Sequence, residues 1–162
     1  MILDIQTRIK REESELLEKV AEAVLRGEGQ DFSKIEVSLT MISSKDMRAV
    51  NKRTRENDKV TDVLSFPSLH IKAGEIINFK SEESIISMDY DTNKLLLGDI
   101  LICKTVARRQ AKEYENSLTF ELIKLTIHSL LHLLGYDHIK DSDFKIMKEK
   151  EEKYMVEFEK LR

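Results

Sequence analysis

A chain of 162 residues, 41% hydrophobic and 35% charged, carries enough apolar side chains for one core of ordinary size beneath a well-solvated surface. Its apolar runs never reach membrane-spanning length. A net charge of -3 gives no overall attraction to nucleic acid, so a phosphate-bearing ligand needs a local basic patch. The single cysteine, Cys103, excludes an internal disulfide and fits a reducing cytoplasm, and Met1-Ile2-Leu3-Asp4 lacks the pattern of a signal peptide.

Residues 2–9 alternate loosely and are expected to form a first strand. Residues 12–26 read as an amphipathic helix with Leu16, Leu17, Val20 and Val24 on its inner side, stopped by Gly27 and Gly29. Ile35 to Met41 alternates apolar and polar, the mark of a strand with one buried face. Ser43 followed by Asp46 resembles an N-cap, opening a helix from Ser44 to Thr54 with Met47 and Val50 inward. A polar loop is then expected to carry Arg53, Arg55 and Lys59. Thr61 to Pro67 reads as a short strand, and a basic loop entering a strand can place an arginine at a cleft rim.

Ile76–Phe79 and Ser84–Met88 are expected to pair as a hairpin, with Asp91-Thr92-Asn93 as a turn and His70 at the surface. The run Leu95 to Cys103, broken by Gly98-Asp99, ends in a buried central strand. A basic helix over Thr105–Tyr114 follows, then an apolar helix over Leu118–Leu134 capped by Ser117 or Thr119. A last helix runs from Asp143 to Phe158, with Phe144, Met147, Tyr154, Met155 and Phe158 inward. This order of elements gives an α+β or α/β sandwich. A small mixed β-sheet has helices on its faces and the apolar helix lying across it, in one domain over residues 1–162.

That apolar helix carries the chemistry. His128 and His132 are four apart, so they share one helical face. Gly135 supplies a left-handed stop, and His138 can return to the same point from the loop. Three neutral imidazoles meeting at one point suit a zinc ion with a fourth position left open to water. Such an ion lowers the pKa of its water toward about 7, giving a nucleophile for a carbonyl or a phosphorus. The spacing H-x3-H-x5-H also matches the metzincin peptidase pattern. However, Ser129 stands where that pattern needs its glutamate base, and Met147, the place to seek a Met-turn, lies in the last predicted helix.

The stretch His128-Ser129-Leu130-Leu131-His132-Leu133-Leu134-Gly135-Tyr136-Asp137-His138 resembles the H-G-x-L-H-L-x-G-Y-D-H motif of the YbeY-type endoribonucleases, the ribosomal RNA maturation factors. Arg55 through Pro67 resembles a second pattern of that family, R-x-x-D-x-x-T-D/N-V-L-S-F-P, and Leu97-Gly98-Asp99-Ile100 a third. Ser129 departs from the family's glycine, Val60 from a common proline, and the 68–94 segment is longer than expected.

The resemblance implies a metal-dependent endoribonuclease specific for single strands, acting in ribosomal RNA processing and ribosome quality control in the cytoplasm. It implies His128, His132 and His138 as ligands of one zinc ion, and Arg55 and His128 as residues of the catalytic centre, with Arg55 on the phosphate. Single-stranded and ribosomal RNA, and the ribosome or its proteins, are the implied partners, with no membrane. The residues leave a second class open, a ribosome-assembly factor with a structural zinc, which a closed four-ligand site would favour. Asp137 is a candidate acceptor for a histidine or a loop cap. Tyr136 is a candidate for stacking on a base or for packing under the loop. Arg53, Lys59 and the helix from Lys104 to Lys112 are candidates for following an RNA backbone.

Overall fold

Strict alternation makes β2 (Ile35–Ile42) a half-buried strand, with Ile35, Val37, Leu39 and Met41 buried and the residues between them half-exposed. It runs parallel to β1 (Leu3–Ile5) on one side and to β5 (Lys94–Cys103) on the other. The remaining edge of β5 takes two antiparallel partners, β3 (Val63–Pro67) and the two-residue β4 (Met88–Asp89). The sheet order is β1-β2-β5-β3. This computed structural model describes all 162 residues.

Parallel neighbours need crossovers. Helix α1 (Arg11–Gly27) joins β1 to β2, and α2 (Ser44–Arg55) follows β2 with Ser43 Oγ accepting from Asp46 N. After the one-turn α3 (Glu82–Ile86) and strands β4 and β5 come α4 (Lys104–Glu113), α5 (Leu118–Leu133) and α6 (Asp141–Met155). The main core lies between one sheet face and α1, α5 and α6. Opposite residues of the same strands, Leu64 and Cys103, face the other way and pack with Met47 and Val106 under α2 and α4.

Helix α5 is apolar on nearly every side because it is enclosed on nearly every side. It lies on β3 and β5 and is flanked by α1, α4 and α6. At Gly98 the sheet leaves room for it: a Cβ there would lie 2.7 Å from Leu133 Cδ2 and 2.5 Å from Phe66 O. Ser117 caps its start by accepting from Phe120 N. Its end is a Schellman stop, in which Gly135 N donates to His132 O and Tyr136 N to Leu131 O at 3.0 Å each. Gly135 has φ +92°, and a Cβ on it would run into the backbone of Ile71. The long 68–94 segment therefore packs directly beneath the turn that ends α5.

The α+β architecture, with α5 across a small mixed sheet, is the one expected. Four local readings are corrected. The first strand is only Leu3–Ile5, because Gln6 to Lys10 leave the sheet for α1. Arg53 and Arg55 belong to the last turn of α2, where cations suit the negative end of the helix, rather than to a loop. The hairpin over 76–88 does not form. Ser81 accepts from Ser84 N, and Glu82 and Glu83 sit in the first turn, so local capping makes α3 where the apolar pattern suggested a strand. Phe144 is exposed, since α6 starts at Asp141 and reaches the core only from Met147 onward. The turn at Asp91-Thr92-Asn93 does occur and links β4 to β5.

Two substitutions in and after α5 test these packing statements by chemical and thermal unfolding. Gly135→Ala combines a left-handed backbone with a backbone clash and is expected to cost about 3 kcal/mol. Ser129 is fully buried and its hydroxyl has no hydrogen-bond partner, so Ser129→Ala is expected to raise stability by about 1 kcal/mol. A neutral Gly135→Ala, or a clearly destabilising Ser129→Ala, would contradict the packing described.

Candidate metal centre

Helical periodicity brings the first two histidines together. His128 and His132 lie one turn apart on α5 with their Nε2 atoms 3.0 Å apart and their ring planes at 84°. The Schellman stop then reverses the chain, and His138 returns from the following loop with its ring centroid 5.1 Å from that of His132 and 5.8 Å from that of His128. One ligand nitrogen from each of the three lies within 4.8 Å of the others.

The opposite ring nitrogens decide how these groups behave. His132 Nδ1 donates to the carbonyl of Tyr136 at 2.9 Å. His128 Nδ1 faces the Glu151 carboxylate from α6 at 2.5 Å. An Nδ1–H with a fixed acceptor leaves the Nε2 lone pair available, which is how a metal-binding imidazole is prepared. Burial, followed by the neighbouring His128, pushes the His132 pKa down, so that ring is held neutral. Three imidazole nitrogens converging in this way fit a zinc-type divalent cation.

The histidines line a cleft of about 690 Å³ whose other wall is β3 with the end of α2. Arg55 is the one Lys or Arg side chain on that wall. Its Nη2 donates to Ser65 O at 2.8 Å, and its guanidinium carbon lies 5.2 Å from the Phe66 ring centroid. The side chain is thus oriented while other N–H groups remain for an anion. A second groove of about 610 Å³, between α4, α5 and α6, meets the first at Asp62 and His128.

Other candidates from the sequence take other places or other roles. Asp137 accepts from His138 N at 2.7 Å, so it caps the loop. Tyr136 is buried, with its hydroxyl on Glu28, and has no ring face free for a base. Arg53 and Lys59 are exposed away from the cleft walls. Lys104 and Arg108 line a separate groove with Arg8 and Lys10. His70 is exposed and paired with Glu83. Ser129, in the place of a peptidase glutamate, is wholly buried. Glu151 and the Tyr136 carbonyl were not foreseen. A carboxylate within Lys148-Glu149-Lys150-Glu151-Glu152-Lys153 looks like any other on a solvated helix, and a carbonyl leaves no trace in a sequence.

No helix of the chain is long and apolar enough to cross a membrane. A family model described as Endoribonuclease YbeY matches residues 2–159. Similar curated proteins include the Endoribonuclease YbeY of Clostridium acetobutylicum, 40% identical over 144 residues that cover 88% of this chain and 86% of the relative. Another is the Endoribonuclease YbeY of Clostridium botulinum (strain Eklund 17B / Type B), 38% identical over 141 residues, 86% of this chain and 84% of the relative. The solution structure of TM1509 from Thermotoga maritima is similar with a TM-score of 0.61 at 26% identity, covering 98% of this chain and 93% of that one. A match over nearly the whole chain, with relatives at this level of identity, means that the chain belongs to the endoribonuclease YbeY family.

Proposed function

We propose that the protein is a zinc-dependent endoribonuclease that cuts single-stranded RNA, acting as one domain in cytoplasmic ribosomal RNA maturation and ribosome quality control. The observation that carries this reading is the convergence of three imidazoles beside one oriented arginine, in a family whose curated relatives bear the name endoribonuclease.

His128, His132 and His138 would hold the cation. When bound, it supplies Lewis acidity toward a phosphoryl oxygen and a lowered pKa for water. The remaining work falls to the chain. The Glu151 carboxylate and the Tyr136 carbonyl fix the two helical imidazoles and keep their donor nitrogens aimed at one point. Arg55 sits on the opposite wall, where its free N–H groups offset negative charge building on a phosphate in the transition state. Two grooves meeting at His128 give a polymer a way in and a way out on either side of the scissile bond. The only other histidine, His70, and the one cysteine, Cys103, lie outside the cluster, which favours an open three-ligand centre over a closed structural one.

Purified protein should cleave single-stranded RNA, lose that activity on chelation and recover it on adding zinc. His132→Ala should abolish cleavage. Arg55→Ala should lower kcat by roughly a hundredfold while metal content is unchanged. Cleavage by both variants at the parent's rate would assign the activity to a contaminant and end this reading.

A further inference from the structure

We infer that Glu28 is a positioning residue of the histidine centre, acting through Tyr136 on His132. The inference rests on reading the three histidines as a metal site. Glu28 follows the last residue of α1 and is 9% exposed. Its carboxylate collects three donors: the Tyr136 hydroxyl at 2.5 Å, the Tyr154 hydroxyl at 2.5 Å and Lys150 Nζ at 3.0 Å. Burial pushes its pKa up, but the hydrogen bonds from Tyr136, Tyr154 and Lys150 more than offset this, so the group stays ionised.

One path leads from that carboxylate to the histidines. Tyr136 is gripped at both ends. Its hydroxyl is held by Glu28, and its carbonyl accepts the Nδ1–H of His132 at 2.9 Å. Tyr136 is also the residue whose N–H closes the stop of α5 on Leu131 O at 3.0 Å. Anchoring the phenol therefore fixes the direction of the carbonyl, and with it the ring of His132. Acceptors of this kind set the tautomer and aim of a ligating imidazole, and losing one typically weakens metal binding by about 10–100-fold.

The test uses Glu28→Gln, Tyr136→Phe and the control Tyr154→Phe, which breaks a Glu28 hydrogen bond without touching Tyr136. Zinc affinity is measured by chelator competition. The His132 tautomer in the metal-free protein is measured by long-range 1H–15N NMR. Glu28→Gln and Tyr136→Phe should each weaken zinc binding about tenfold and move His132 off the pure Nδ1–H tautomer. The double variant should be no weaker than Tyr136→Phe alone, since both act on one path. Tyr154→Phe should lower the melting temperature yet leave zinc affinity and tautomer as in the parent. If Glu28→Gln fails to fold, Tyr136→Phe carries the test.

Parent-like affinity and tautomer in Tyr136→Phe, or an equal loss in Tyr154→Phe, would overturn the inference. Failure of the parent itself to bind zinc would sink the metal reading instead, and the tautomer would still report whether Glu28 sets His132.

Discussion

Three imidazole rings must point at one place, and the rest of the molecule is arranged around that requirement. Two of them are brought together by the pitch of an α-helix. The third depends on a single left-handed residue, Gly135, which turns the chain back on itself. This works only if α5 cannot shift. It is held by burial on nearly all sides, by its close seat over Gly98, and by the backbone of the 68–94 segment pressed against Gly135. Each fully buried leucine there contributes roughly 2 kcal/mol, so the helix is fixed far more strongly than any single polar contact could fix it.

Polar groups then do what packing cannot. Burial and mutual repulsion keep His132 uncharged, while acceptors behind the rings decide which nitrogen carries the proton. These acceptors come from places far apart in the chain: a carbonyl just past α5 and a carboxylate on α6, while Glu28 from the end of α1 holds the phenol of Tyr136. Arg55 is delivered from the other layer, by α2 on the opposite sheet face, and rests on β3. The cleft is thus a junction between the two layers, and its chemistry needs both in register.

Much of this could be read in the sequence, for specific reasons. Alternation in Ile35–Ile42, the cap at Ser43 and the histidine spacing are local signals, and each became the expected element. Family resemblance through Arg55–Pro67 pointed to an arginine at the cleft, where the structure has one, although at a helix end rather than in a loop. What could not be read depends on long-range contacts or on competition between weak local signals. Ile76–Met88 has a strand-like pattern, but the Ser81 cap and its two following glutamates favour a helical turn. Phe144 has the right spacing for the inner face of α6, yet the core ends short of it. Glu28 and Glu151 look like ordinary surface acids until folding places them against Tyr136 and His128, 108 and 23 positions away.

The central claim is that the three rings hold a cation and leave part of its coordination open. X-ray absorption spectroscopy on the purified native protein, with metal analysis of the same sample, addresses it directly. The account predicts one zinc per chain with three imidazole nitrogens at about 2.0 Å and one or two further oxygen ligands from solvent. A protein with no stoichiometric metal, or with a fourth protein donor such as a thiolate closing the site, would contradict it.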